Sequence, residues 1–366
     1  MRLTPTRTLS PTIYKGGGAV IFLYVLPVAA IGCGLICRKD RFKGIYCLLV
    51  AVLLALFAFF FRGGSFLTAE AAYNEAALLS PEELGKGTFP LGILFLAKLF
   101  SLLGLGSDIF AVTALTVLSL GFGYYIYGFC KSPLPGAAVF ISLGFPFVIT
   151  EDFSRAIALL LTAFGMKYME EKRFFRYCGY MLLAACFSPT ALLLIPLYFL
   201  LLPDNPLIKW ALSLVTGAVL ILLPFKDELF GFLYCTGTPC ETKLPLYLSV
   251  FTIISALLFT LMTKMLKQGG GYGYRFLGLM SLSAAVSVGA VLDGRLLPLF
   301  ILTAASSLTV LFSEALPLIL TLLLKTFPEN KKTVYVVAVS VFSVSALILF
   351  TLTLFSGVFT LPVLSL

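Results

Sequence analysis

Uninterrupted apolar runs recur from one end of this chain to the other, and no other feature constrains its fold more. Many reach the roughly 17–25 residues that an α-helix needs to cross a bilayer, and only short polar segments separate them. Hydrophobic residues fill 60% of the 366 positions, and the mean hydropathy of +1.05 lies far outside the range of a water-soluble domain. A membrane β-barrel would show short alternating strands instead, and none are apparent. The expected fold is all-α: a polytopic transmembrane helical bundle of about 10–12 membrane segments. It forms one integral domain over residues 1–366, with no room for a separate soluble one.

Charge orients such a bundle. The formal net charge of +9 sits mostly in short loops, where it marks the cytoplasmic side and contact with membrane lipids, not nucleic acid. Arg38-Lys39-Asp40-Arg41-Phe42-Lys43 would lie on that side, as would Lys131, Lys172, Arg173, Arg176, Lys209, Lys264, Lys267, Lys325, Lys331 and Lys332. The first apolar run, roughly 17–37, reads as a retained anchor and not a cleaved signal peptide. The same parity places the tail before it outside, despite Arg2, Arg7 and Lys15.

Two segments break the alternation. Residues 62–88 are the longest polar stretch and carry Glu70, Glu75, Glu82 and Glu83, which suits an external loop. Within it, Ser80-Pro81-Glu82-Glu83 is a helix start. The apolar run that Phe89-Pro90 opens contains Lys98, and a full crossing there would put the later basic loops outside. Residues 62–107 are therefore expected to form an external loop with a juxtamembrane or re-entrant helix. Parity also requires a broken helix at Phe187-Ser188-Pro189, whose two halves return the chain to a cytoplasmic Lys209. Such a break survives in a membrane only where protein or a cavity satisfies the freed backbone. Residues 225–246 form a second external loop; its Cys235 and Cys240 could pair on an oxidising side, but their spacing is no zinc signature.

The chain has no histidine, which excludes a Ser-His-Asp triad, a His-ligated metal and a His proton shuttle. No metal or cofactor is expected. Chemistry must then come from charged groups at membrane depth, which are costly and are either paired or functional. The topology collects Arg62, Glu70, Glu75, Arg155, Ser188, Asp293 and Arg295 at the external level. Arg155 opens a helix, where a phosphate could meet both guanidinium and helix N-terminus, or it could pair with Glu151 or Asp152. Glu70 and Glu75 are candidate general bases or parts of a solvated helix face. Asp293 and Arg295 can pair across a turn, Arg62 can simply flank its helix, and Lys98 can snorkel. Glu314 is a lone acid in an apolar run, a weak transport signal.

Several motifs in order give the chain a resemblance. Phe61-Arg62-Gly63-Gly64 is followed by Thr68-Ala69-Glu70 and Tyr73; then come Ser154-Arg155-Ala156-Ile157-Ala158, a basic loop, and Leu183-Ala184-Ala185-Cys186-Phe187-Ser188-Pro189. In this order they resemble the EpsG-like family, related to Wzy-type polysaccharide polymerases, over roughly 53–202. The chain departs from that pattern at Glu70, where the family commonly has aspartate, and at Ser188, where it commonly has histidine. The resemblance implies exopolysaccharide or capsule assembly at the outer face of a bacterial cytoplasmic membrane, using polyprenyl-linked sugars and other polysaccharide-assembly proteins as partners. It implies catalytic roles for Glu70, Arg155 and Ser188 and substrate-binding roles for Arg62, Tyr73 and Arg295. Gly87-Thr88-Phe89-Pro90-Leu91 also looks like an element of GT-C glycosyltransferases; a lipid-linked sugar transporter and a non-catalytic scaffold are the remaining readings.

Overall fold

Helix is the only regular structure among the described residues, which form fifteen α-helices. The computed structural model describes residues 24–36, 42–60, 64–143, 146, 148–149, 152–201, 205–222, 243–268, 273–328 and 330–355. The helices are α1 Val25–Ile36, α2 Lys43–Phe60, α3 Gly64–Leu78, α4 Leu91–Leu102, α5 Ser107–Phe129, α6 Pro133–Ser142, α7 Phe153–Glu170 and α8 Phe174–Ala185. They continue as α9 Leu194–Leu201, α10 Pro206–Leu222, α11 Leu246–Leu261, α12 Thr263–Gln268, α13 Gly273–Leu292, α14 Leu297–Thr326 and α15 Lys331–Phe355. Among the described residues three segments are long and apolar enough to cross a membrane: Ser107–Phe129, Gly294–Thr326 and Lys331–Thr353. Shorter apolar helices accompany them.

The centre of the bundle is α14, against which α6, α7, α13 and α15 pack. Its first five turns are almost wholly buried, from Leu297 to Ala315. Pro317 then removes a backbone donor, which frees the carbonyl four residues earlier. That carbonyl, on Ser313, accepts the N–H of Ser132 at 3.3 Å, so the α5–α6 connection caps the gap. Beyond Pro317 the helix becomes largely exposed.

Small residues let the other helices approach. A Cβ on Gly123 of α5 would lie 2.7 Å from the Ala51 side chain and 2.9 Å from the Cys47 carbonyl of α2. Hydroxyls join α10, α11, α13 and α14: Ser213 to Ser281 at 2.9 Å, Ser249 to Ser287 at 2.9 Å and Ser283 to Ser307 at 3.3 Å. Close contact through small residues with hydroxyl links is the packing expected where burying apolar surface gives no drive of its own.

These contacts fix which chain ends lie together. Lys43 sits over the Tyr127 ring near the end of α5, Phe129 meets Phe164 of α7 and Phe276 of α13, and Trp210 bonds Thr260 at the α10 start and α11 end. One end of the bundle therefore gathers Lys43, Lys131, Lys172, Arg173, Lys209, Lys264, Lys267, Lys325, Lys331 and Lys332. The opposite end carries the starts of α5, α7 and α14, with Asp108, Asp152 and Asp293. The basic residues expected on one side lie together where they fall among the described residues; Arg38, Lys39 and Arg41 lie outside them.

The expected break is present. α8 stops at Ala185, a 3₁₀ turn runs Pro189–Leu193, and α9 doubles back along α8. Tyr198 packs on Phe174 at 5.1 Å and on Tyr177 at 5.2 Å, and the Tyr177 hydroxyl donates to the Leu194 carbonyl. The chain thus leaves and regains the basic end without reaching beyond Ser188.

One expectation is corrected. Residues 64–78 are helix and not irregular loop, because the alanine-rich sequence favours helix and Ala69, Ala72 and Ala76 bury along one face. Lys209, expected on the basic side, lies in the first turn of α10 with only 6% of its surface exposed. Arg62, Cys235 and Cys240 lie outside the described residues.

Candidate functional site

Two of the three residues expected to be catalytic, Arg155 and Ser188, belong to one cluster at the acidic end. Its foundation is the first turn of α7. Asp152 caps that helix, its Oδ1 accepting the N–H of Ser154 at 3.0 Å and of Arg155 at 3.2 Å. Its Oδ2 takes the Arg155 Nε at 3.0 Å, with both side chains about a quarter exposed. One carboxylate therefore fixes the helix start and orients the guanidinium.

Asp152 also corrects an expectation. The N-terminus of α7 does not offer bare N–H groups to a phosphate, since a native carboxylate already occupies them. An anion at this place would meet the Arg155 guanidinium and not the helix end. The charge of the site is set by a paired arginine, which is the bland reading of Arg155 realised in part.

Ser154 joins this turn to the helix break. Its buried hydroxyl donates to the Phe187 carbonyl at 2.6 Å, an acceptor that the end of α8 leaves open. Ser188 follows, buried at 8% exposure, its backbone N–H bonded to Ala184 and its hydroxyl shared with Thr190 at 2.6 Å. The two hydroxyls on either side of Pro189 satisfy each other.

The same cluster receives α4. The N–H of Gly92 donates to the Cys186 carbonyl at 2.8 Å, and a Cβ on Gly92 would lie 2.9 Å from three atoms of the Phe187 ring. Glycine is required there by close approach. At its other end α4 sets Phe100 on Phe110 at 5.2 Å, and Phe110 meets Phe153 edge-on at 5.8 Å. Both ends of α4 thus attach to the acidic end of the bundle.

Tyr73 reaches the cluster from α3. Its hydroxyl donates to the Leu105 carbonyl at 2.5 Å and its ring lies 6.5 Å from Phe110. Glu70 precedes it by one helical turn and is exposed on the helix surface, outside the buried cluster. Glu75 is employed structurally, its carboxylate accepting the N–H of Thr88 at 2.6 Å and the Thr88 hydroxyl. The Lys98 ammonium closes α3, donating to the Leu79 carbonyl at 2.7 Å. Arg295 is held by Asp293, its Nε 3.1 Å and 3.2 Å from the two carboxylate oxygens.

Ser154, Thr190 and Gly92 are parts of the site that the sequence did not single out. The only local signal was their position beside the residues already chosen. Glu314 is buried in α14, at 1% exposure. Among the described residues no three His, Cys, Asp or Glu side chains gather as a metal site.

No family model matches the chain, and no curated protein or solved structure does.

Proposed function

We propose that this chain is a multi-pass protein of a bacterial cytoplasmic membrane that assembles exopolysaccharide or capsule. It would polymerise or transfer sugars from a polyprenyl-diphosphate carrier at the outer face. The observation that carries the reading is the hydrogen bond from Ser154 to the Phe187 carbonyl, which unites the Arg155 turn with the Ser188 break. Those are two motifs on which the resemblance to EpsG-like proteins rests.

The bilayer as solvent is supported by large apolar side chains left exposed along the helices, among them Leu48 and Leu56 of α2, Val117 of α5, and Val337, Val341 and Ile348 of α15. A water-soluble protein rarely exposes so continuous an apolar surface. The gathering of lysines and arginines at one end supports a cytoplasmic assignment for it, which puts Arg155 at the outer face. The attachment of both ends of α4 to that face supports a juxtamembrane or re-entrant position for this helix.

In the proposed reaction Arg155 holds the diphosphate as negative charge develops on the leaving group. Asp152 orients it, and the Ser188 turn shapes the wall beside it. Glu70, exposed on α3, takes the proton of the acceptor hydroxyl. Tyr73 fixes the position of α3 through Leu105.

The test is the lipid-linked glycan profile of cells lacking the protein, complemented with wild type or with Arg155→Ala. The reading expects single repeat units to accumulate on lipid, polymer to disappear, and Arg155→Ala to fail in rescue. Intermediates short of one sugar would point to a GT-C transferase instead. Full rescue by Arg155→Ala would remove the central residue of the site.

A further inference from the structure

A second feature lies at the opposite, basic end of the molecule. There a cleft of about 360 Å³ opens between α14 and α15, with the starts of α2 and α6 closing its sides. That volume falls in the range of about 300–1,000 Å³ usual for small-molecule sites. The cleft is lined by both polar and apolar side chains. Lys43, the first residue of α2, lines it with Thr321 and Tyr335, and Leu320, Ala338 and Phe342 are among its apolar lining. From Tyr335 to Phe342 the wall of α15 spans roughly 10 Å along its axis.

Charge and position together define the occupant. Among the described residues Lys43 is the only charged residue lining the cleft, and Glu314 lies one turn before Pro317 in α14, outside that lining. Close to the cleft along the described chain stand Lys131, next to the lining residue Ser132, and Lys331 and Lys332 at the head of α15. Basic pockets between helices at the cytoplasmic level suit phosphate headgroups of anionic lipids. The Lys43 ammonium is already held in place over the Tyr127 ring at 5.4 Å.

We propose that this cleft binds one anionic phospholipid, its phosphate at Lys43 and the upper part of an acyl chain between α14 and α15. The proposal rests on the membrane reading above but not on sugar transfer. Pro317 makes the site possible: it lines the cleft, and because the backbone gap it opens is filled by Ser132, apolar surface and not an unsatisfied carbonyl faces the lipid.

Native mass spectrometry of the full chain in detergent, titrated with phosphatidylglycerol, phosphatidylcholine or inorganic phosphate, tests this. One phosphatidylglycerol should be retained in preference to phosphatidylcholine. Lys43→Gln should weaken it about five- to tenfold, as the loss of one cation near an anionic headgroup implies. Ala338→Trp, filling the cleft and leaving Lys43 in place, should abolish retention. Equal retention of the two lipids, or unchanged binding in both variants, would overturn the proposal. Displacement of the lipid by inorganic phosphate at equal concentration would overturn it too, by making the site one for a free anion. Release of the protein from cell membranes by alkaline carbonate would overturn the membrane reading itself; a chain that stays embedded but shows no lipid preference loses only the cleft.

Discussion

The hydroxyl of Ser154 donates to the carbonyl of Phe187 across 2.6 Å, tying the first turn of α7 to the end of α8. Thirty-three residues separate them, and the bond is buried. It sets the position of Arg155 relative to Ser188, so its loss should affect both fold and function.

Ser154→Ala leaves the Phe187 carbonyl buried without this donor. An unsatisfied buried acceptor costs about 1–3 kcal/mol, so thermal unfolding of the detergent-solubilised protein should shift downward. An unchanged melting temperature would mean that the bond contributes nothing to the junction.

Asp152 has two tasks that substitution can separate. Asp152→Asn keeps a capping oxygen and loses the ion pair, whereas Asp152→Ala loses both. The alanine variant should be less stable than the asparagine variant by about 0.5–2 kcal/mol, the usual worth of an N-cap. Glycan polymerisation should fall in both, because Arg155 is no longer oriented. Equal melting temperatures for the two variants would remove the cap from the account.

Glu70 is exposed, so Glu70→Gln should change stability by no more than about 0.5 kcal/mol while abolishing polymer formation in complemented cells. The Glu75→Gln variant should do the reverse, loosening the Thr88 contact and leaving polymer formed by whatever protein remains folded. Normal polymer with Glu70→Gln would assign the proton transfer to solvent.

Helix packing can be checked on two glycines of α5. Gly123→Ala drives a methyl into the Ala51 side chain and the Cys47 carbonyl, and overpacking of this kind costs about 1–3 kcal/mol. Gly128, five residues on, has nothing within 4 Å of a Cβ, and Gly128→Ala should be neutral or stabilising by up to about 1 kcal/mol. Similar melting temperatures for the two would contradict the α2–α5 crossing.

Sidedness follows from the charge asymmetry of the bundle. In a cysteine-free background, Ser80→Cys should react with an impermeant thiol reagent on intact cells, and Lys332→Cys only after the membrane is opened. Both positions are exposed. The opposite pattern would turn the bundle over and place Arg155 inside.

The sequence by itself determined that the chain is helical, that one helix breaks near Ser188-Pro189, and that the described basic residues share an end. These are local properties: apolar run length, proline and loop charge act within a few residues of themselves. The helical state of residues 64–78 was legible in their alanines but was outweighed by their acids. Only the tertiary structure decided that Ser154 meets Phe187, that Glu75 serves Thr88, that Lys98 closes α3 and that Lys209 is buried. The reason is that helices apolar on every side carry little record of which face will be covered. Their rotation is settled by where small residues and hydroxyls on separate helices allow contact, as Gly92 does with Phe187, and that is a property of pairs of helices.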